Sequence, residues 1–411
     1  MDKTSQRRAP DGFLWGSAIS GHQTEGNNVN SDVWLLENSV PTVFEEPSGD
    51  ACDSYHRYLE DFDLAAGLGF NCHRIGIEWA RIEPEQGQFS SAALDHYRRA
   101  LEALHARGLQ PIVTFNHFTT PRWFAMRGSF EVADAADLFA RFCAKVMASM
   151  GDLVAYALPF NEANIQRLFA LARHFTTSGE EVDQMLAAAR RATGSPAFSS
   201  IMFAPVDLCE PVMIRAQRES YAAIKAERTD VPVGLSLTMQ DIQGVGEDNP
   251  AEFVIASLYG PWLEVGREMD FTGVQTYTRV LVSASGLQRP PAGSEMTGAG
   301  YEFYPEALKG TIRLAHERIG KPIFVTESGI GTDDDSRRIA FIDGALAAVR
   351  ECLDDGIDVC SYICWSLLDN FEWMRGYGER FGLVDVDYRT FARKVKPSAF
   401  HLAETIRSGM I

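Results

Sequence analysis

The chain has 411 residues, of which 45% are hydrophobic and 23% charged, so it can bury a large core without disulfides or metals. Its 38 lysines and arginines and 56 aspartates and glutamates give a formal net charge of −18, which repels phosphate groups and argues against nucleic-acid or membrane-surface partners. No apolar run reaches the roughly 18 residues of a membrane span, and no secretory signal is visible, so we expect no membrane association.

Short apolar runs alternate with longer amphipathic segments along the chain. The runs predict buried strands at 13–19, 72–79, 111–118, 154–160, 233–239, 271–277, 323–326 and 359–368. The segments between them place apolar residues three and four apart, as in Leu94, Tyr97, Leu101 and Leu104, which is typical of helices packed on a core. Eight strand-then-helix units without a composition break predict one α/β domain over residues 1–411, a (β/α)8 TIM barrel.

A doubly wound sheet is the competing fold. It would usually carry a glycine-rich phosphate-binding turn after its first strand, and the segment from Gly12 to Gly16 has the wrong glycine pattern for that turn. The barrel is therefore the favoured prediction.

Polar residues follow the predicted strands, where a barrel gathers its active site. They are Gln23 after the first strand, Glu78 after the second, Asn116 and His117 after the third, Asn161 and Glu162 after the fourth, Tyr277 after the sixth, Glu327 after the seventh, and Trp365, Asp369, Glu372 and Trp373 at or after the eighth. Strands four and seven face each other across an eight-strand ring. The carboxyls of Glu162 and Glu327 therefore suit cleavage of a glycosidic bond by an acid and a nucleophile.

Each of these residues also has a purely structural interpretation. A lone glutamate at a strand end is more often a salt-bridge partner, and Glu78 is expected to pair with an arginine such as Arg81. A lone histidine is usually a buried hydrogen-bonding group, and a lone tryptophan usually belongs to a core. The catalytic interpretation rests on the combination, because every residue falls at the same end of its strand.

Several motifs in the right order resemble glycoside hydrolase family 1 from residue 13 to about residue 397. They are Phe13-Leu14-Trp15-Gly16-Ser17-Ala18 with Gln23 and Glu25-Gly26, His73-Arg74-Ile75-Gly76-Ile77-Glu78-Trp79-Ala80-Arg81-Ile82, Asn116-His117-Phe118-Thr119-Thr120-Pro121, Phe160-Asn161-Glu162, Val325-Thr326-Glu327-Ser328-Gly329, Trp365-Ser366-Leu367-Leu368-Asp369-Asn370-Phe371-Glu372-Trp373 and Arg380-Phe381-Gly382-Leu383. The stretch 164–211 has no such landmark.

The resemblance implies a retaining β-glycosidase on a (β/α)8 barrel. It assigns Glu162 as general acid/base, Glu327 as nucleophile, and Asn161 as the contact to the sugar's 2-hydroxyl. It assigns Arg74 and Tyr277 to orient and charge-stabilise the nucleophile. The substrate-binding residues that it implies are Gln23, His117, Trp365, Glu372, Trp373 and Phe381.

The sequence departs from the family pattern at three positions beside these residues. Ala163 stands where the family usually has proline, Gln275 where it has asparagine, and Ser328 where it has asparagine. Glu372 is retained, whereas relatives that act on phosphorylated sugars lose this glutamate. A neutral sugar is therefore favoured. The stretch 164–211 is expected on the leaving-group side.

The function expected from the resemblance is hydrolysis of terminal β-D-glucosides, with galactosides or fucosides as further substrates. Two alternatives stay open: a transglycosidase with the same residues, and a carbohydrate-binding pseudoenzyme. A metal-dependent barrel hydrolase would carry a His-x-His after its first strand, which is absent, so we expect no metal and no cofactor. The seven cysteines cannot all pair, which favours a reducing, cytoplasmic compartment. The sequence leaves a homo-oligomer open.

Overall fold

The computed structural model describes residues 7–172 and 179–411. Its strands are β1 (Leu14–Ala18), β2 (Cys72–Gly76), β3 (Gln110–Asn116), β4 (Tyr156–Phe160), β5 (Gly234–Thr238), β6 (Asp241–Val245), β7 (Phe271–Gln275), β8 (Arg279–Ser283), β9 (Gly286–Gln288), β10 (Ile323–Ser328), β11 (Val359–Trp365), β12 (Val384–Asp387) and β13 (Ala392–Val395).

The helices follow the barrel strands in sequence, as the apolar pattern predicts. They are α1 (Gly21–Thr24), α2 (Asp32–Glu37), α3 (Ser54–Gly67), α4 (Trp79–Ile82), α5 (Ser91–His105), α6 (Arg122–Met126), α7 (Ala135–Met150), α8 (Ile165–Ala172), α9 (Gly179–Thr193), α10 (Val206–Glu227), α11 (Ala251–Gly266), α12 (Ala307–Ile319), α13 (Asp335–Asp354) and α14 (Pro397–Ser408).

Eight parallel strands form a nearly closed barrel in the order β4-β3-β2-β1-β11-β10-β7-β5. A parallel bridge between Ala157 and Val233 joins β4 to β5, where the Ala157 N–H donates to the Pro232 carbonyl at 3.0 Å. The predicted barrel is confirmed, and each of the eight apolar runs overlaps one of its strands. The doubly wound alternative is wrong.

The strand ends differ from the predicted ones by a few residues. The run 72–79 leaves the sheet after Gly76, and Trp79 begins α4. The run 323–326 is too short, because β10 continues to Ser328 and so includes Glu327. Glu327 and Ser328 are polar, so they end the apolar run before the strand itself ends.

The core has two layers that follow from the alternation of side chains along each strand. Inside the barrel, apolar residues from seven strands pack together, among them Leu14, Ile112, Phe271 and Phe324. Outside it, apolar stripes of the helices pack on the sheet. On α5, Leu94, Tyr97, Leu101 and Leu104 are all buried, as predicted, and Ser90 caps the helix by accepting from the Ala93 N–H at 3.2 Å.

The described part of the stretch 164–211 is mostly helical, with a non-helical connection over 194–205. It contains α8, α9 and the start of α10, and residues 173–178 lie outside the described part.

All seven cysteines lie within the described residues and are free thiols, six of them buried. No helix in the described part is long and apolar enough to cross a membrane.

Candidate active site

All eleven candidate site residues meet at the carboxyl end of the barrel strands. Hydrogen bonds, ring contacts and charge interactions link them into one connected group. They are Gln23, Arg74, His117, Asn161, Glu162, Tyr277, Glu327, Trp365, Glu372, Trp373 and Phe381. The parallel arrangement explains this, since loops far apart in sequence leave the barrel at the same end.

Glu327 is buried and holds two hydrogen bonds that favour its charged form. Arg74 Nη1 donates to Oε1 at 2.5 Å, and the Tyr277 hydroxyl donates to Oε2 at 2.6 Å. Burial raises the pKa of Glu327, while Arg74 and Tyr277 lower it. Arg74 is itself fully buried, so its cation and the carboxylate compensate each other's loss of solvation.

Glu162 lies directly after β4 in a different electrostatic setting. Its backbone has a positive φ of 41°, a conformation that residues other than glycine rarely adopt. Burial, followed by the nearby charge of Glu327, raises the pKa of Glu162 to about 8, against smaller opposing contributions from Thr238 and Arg74. The site therefore holds one carboxyl in contact with a guanidinium and a second that keeps its proton near neutral pH.

The side-chain amide of Asn161 is held in one orientation. Its Oδ1 accepts from Arg74 Nη2 at 2.5 Å and from Gln275 Nε2 at 2.9 Å, so its Nδ2 faces His117 Nε2 at 3.1 Å. Burial and the charge of Arg74 lower the pKa of His117 well below its ordinary value. His117 is thus neutral, and its Nδ1 has no hydrogen-bond partner among the described residues.

Gln23 and Glu372 form a second polar group in the site. Gln23 Nε2 donates to the Phe371 carbonyl at 2.8 Å, to Asn370 Oδ1 at 3.1 Å and to Glu372 Oε2 at 3.3 Å. Burial, then the charge of Glu327, raises the pKa of Glu372 to about 8. This group offers hydrogen-bond donors and acceptors to a polyhydroxylated ligand.

Aromatic rings border these polar groups. The rings of His117 and Trp365 stack with centroids 5.5 Å apart, and those of His117 and Trp373 stack at 6.1 Å. Phe381 meets Tyr277 edge to face at 5.9 Å. Flat apolar surfaces beside fixed polar groups are the usual composition of a ligand pocket.

Comparison with known proteins assigns the family. A sequence model described as "Glycosyl hydrolase family 1" matches residues 5–198 and 216–410. The chain belongs to glycosyl hydrolase family 1. Beta-glucosidase A of Thermotoga maritima is 27% identical over 448 residues, covering 98% of each chain.

Two solved structures are similar to this one over nearly the whole chain. The apo structure of beta-glucosidase 1317 is 45% identical, with a TM-score of 0.93 over 97% of this chain and 99% of that one. A beta-glycosidase from Pyrococcus horikoshii is 28% identical, with a TM-score of 0.85 over 99% of this chain and 96% of that one. Membership of the family makes the protein an O-glycosyl hydrolase.

One expected contact in this family 1 site differs from the prediction. Arg81 pairs with Glu25 at 2.7 Å rather than with Glu78. Glu78 instead accepts from the His22 N–H at 2.9 Å, from Asn28 Nδ2 at 2.7 Å and from the Thr119 hydroxyl at 2.7 Å. These donors come from segments distant in sequence, so the motif around Glu78 did not indicate them.

Three further polar residues line the site: Thr114 and Thr238 were not predicted, and Gln275 was identified only as a departure from the family pattern. Thr114 accepts from Arg74 Nε at 3.0 Å, Gln275 holds Asn161, and Thr238 contacts Glu162. Gln275 pairs in register with both Thr238 and Glu327, so the three side chains share the inner face of the barrel. The sequence signal for Thr238 was its position as a polar residue near the end of the fifth apolar run.

No group of three or more His, Cys, Asp or Glu in the described residues could hold a metal ion.

The raised pKa of Glu162 predicts that its carboxyl destabilises the fold as the pH rises. The folded protein binds this proton more tightly than the unfolded chain, so stability falls between the ordinary pKa of 4.5 and about 8. Glu162→Gln should remove this loss and raise the thermal midpoint. Relative to the wild type, its free energy of unfolding should increase by up to about 1.4 kcal/mol per pH unit over this range.

Thermal unfolding across that pH range checks the prediction, with Glu85→Gln at an exposed glutamate as the control. A gain for Glu162→Gln that is constant with pH, or equal to that of the control, would contradict it.

Proposed function

We propose that the protein is a retaining exo-β-glycosidase that hydrolyses terminal β-D-glucosides through a covalent glycosyl-enzyme. The observation that carries the proposal is the asymmetry between the two carboxyls: Glu327 contacts Arg74 and Tyr277, whereas the pKa of Glu162 is raised. The names of its relatives, beta-glucosidase A among them, support the substrate class. We further propose that residues 1–411 act as one catalytic domain.

In the first step, Glu327 attacks the anomeric carbon while Glu162 gives its proton to the glycosidic oxygen. The bond from that carbon to Glu327 Oε forms as the bond to the leaving group breaks, and the leaving group departs as a neutral alcohol. Arg74 keeps the nucleophile ionised, and the proton on Glu162 is available because burial and the charge of Glu327 raise its pKa.

In the second step, water replaces the sugar's bond to Glu327. Once esterified, Glu327 carries no charge, so one cause of the raised pKa of Glu162 is gone. Glu162, now deprotonated, takes a proton from the water that attacks the anomeric carbon, and it ends the cycle protonated again. The same carboxyl serves as acid and base because its neighbour's charge changes between the steps.

The sugar ring is proposed to bind between the polar groups and the aromatic rings. Asn161 Nδ2 is directed away from Arg74 and Gln275 and can donate to the 2-hydroxyl. Gln23, His117, Glu372 and Trp373 take the remaining hydroxyls, with Trp365 and Phe381 as apolar contacts. A phosphate group beside Glu372 would add negative charge where burial and the charge of Glu327 already raise the pKa of that carboxyl, so neutral glucosides, galactosides and fucosides fit the site better than phosphorylated sugars.

Replacing the nucleophile tests the proposal directly. Glu327→Gly should lower kcat/KM for an aryl β-glucoside by about 10³-fold or more, since no second group can form the covalent intermediate. Added azide should restore turnover by attacking the anomeric carbon from the vacated side, which gives an α-glucosyl azide.

Product analysis of the wild-type enzyme accompanies this experiment, because glucose indicates hydrolysis and a new glycoside indicates transfer. A wild-type protein that binds glucosides without cleaving any would be a carbohydrate-binding pseudoenzyme and would refute the proposal. Full activity in Glu327→Gly would refute the nucleophile assignment alone.

The hydrogen bond from Tyr277 to Glu327 predicts a change in the pH profile. Tyr277→Phe removes a donor that stabilises the charged carboxylate, so the pKa of Glu327 should rise. The nucleophile must be ionised, hence the acidic limb of kcat/KM should move to higher pH by about 0.5–1 unit, as expected for one hydrogen bond of about 1 kcal/mol.

The matched control is Tyr221→Phe, which removes a tyrosine–carboxylate hydrogen bond of 3.1 Å to Asp270 outside the site. Its pH profile should match that of the wild type. An unchanged acidic limb in Tyr277→Phe, or a shift to lower pH, would contradict the assigned role of Tyr277.

A further inference from the structure

The segment that follows Glu162 is fastened to the neighbouring barrel strand β5. Asn164 is buried, and its side-chain amide bridges the gap: Oδ1 accepts from the Thr238 N–H at 3.0 Å, and Nδ2 donates to the Thr238 carbonyl at 3.0 Å. The same Nδ2 lies 3.5 Å from the Leu258 carbonyl. Both halves of one amide are thus engaged by the backbone of a single residue of β5, which fixes the position of Asn164.

Ala163 adds a second attachment to the same strand. Its N–H donates to the Ser236 carbonyl at 2.9 Å. A proline at this position, as most of the family has, lacks that N–H and could not form the bond. The two residues after Glu162 are therefore held to one edge of β5, at Ser236 and at Thr238.

Glu162 needs such support because of its backbone conformation. Its φ of 41° lies in the left-handed region, where a residue with a side chain persists only if its surroundings hold it. On the β3 side, the Asn161 N–H donates to the Asn116 carbonyl at 2.7 Å. On the β5 side, the bridge between Ala157 and Val233 lies several residues before Glu162. The attachments of Ala163 and Asn164 are the contacts to β5 that immediately follow it in the chain.

We propose that Asn164 is a positioning residue: by fixing the backbone after Glu162, it orients the Glu162 carboxyl toward the leaving-group oxygen. This inference rests on the acid/base role proposed for Glu162. Proton transfer depends steeply on the placement of the donor, so a small displacement of the loop impairs it while leaving attack by Glu327 intact. Asn164 contacts no substrate in this account; it acts through the backbone of the segment 162–164.

The test compares substrates that need protonation of the leaving group with substrates that do not. Phenolate leaves poorly without a proton, whereas dinitrophenolate leaves unaided. Asn164→Ala should lower kcat/KM for phenyl β-glucoside by about 10- to 100-fold and for dinitrophenyl β-glucoside by less than about 3-fold. Equal losses on both substrates would overturn the proposal, because a purely structural role would not distinguish the leaving groups.

Asn164→Asp is the second variant. It keeps the shape and the acceptor for the Thr238 N–H but loses the donor to the Thr238 carbonyl, so the same substrate-dependent loss is expected. If neither variant yields folded protein, Asn164 serves the stability of the barrel and the proposal is withdrawn.

Asn71→Ala provides the matched control at the opposite end of the barrel. Asn71 makes the same kind of amide bridge to a neighbouring strand, accepting from the Trp15 N–H at 2.8 Å and donating to the Phe13 carbonyl at 3.0 Å. Its replacement should lower the thermal midpoint and leave the ratio of kcat/KM for the two substrates unchanged.

Glu162→Ala separates failure of this inference from failure of the proposed function. It should show the same dependence on the leaving group, and azide should raise its kcat on dinitrophenyl β-glucoside and give a β-glucosyl azide. If Glu162→Ala lacks this pattern, the acid/base assignment fails. If Glu162→Ala shows it and Asn164→Ala does not, only the role of Asn164 is refuted.

Discussion

The buried guanidinium of Arg74 makes two contacts on which the geometry of the whole site depends. One nitrogen donates to Glu327 and another to Asn161, each at 2.5 Å. A cation without solvent must be paired, and this one is paired with the group proposed to attack the sugar. Its planar fork fixes both partners at once, so the carboxylate and the amide that we propose to bind the 2-hydroxyl are positioned by the same side chain. The register of the parallel strands brings these residues together.

The charge on Glu327 in turn adds to the effect of burial on the protonation of its neighbours. The pKa values of Glu162 and Glu372 both rise to about 8, with burial as the largest cause and Glu327 as the next. A buried site with one cation accommodates one carboxylate readily and further ones only at a cost. In the proposed cycle the charge of Glu327 disappears when the glycosyl-enzyme forms, which lowers the pKa of Glu162 at the moment when a base is required.

The sequence predicted the barrel because the signal was local. Each strand is a short apolar run, and apolar residues recur three and four positions apart along each helix. It also predicted the position of the site, since polar residues at strand ends converge in this fold. The hydrogen bonds of Glu78 and the attachment of Asn164 to Thr238 were not predictable, because their partners lie 41 to 74 residues away in sequence. Gln275 was noticed as a departure from the family pattern, yet its contact with Asn161 depends on side-chain directions that only the structure provides.

The electrostatic coupling between Glu327 and Glu162 is tested most directly by measuring the pKa of Glu162 before and after the charge of Glu327 is removed. A fluorinated glucoside with a good leaving group traps the glycosyl-enzyme, and NMR of enzyme labelled at the glutamate side-chain carboxyls follows the titration of Glu162 in both forms. If the charge of Glu327 raises the pKa of Glu162, that pKa falls when the ester on Glu327 forms. A pKa that stays the same or rises would show that the charge of Glu327 does not control the protonation of Glu162.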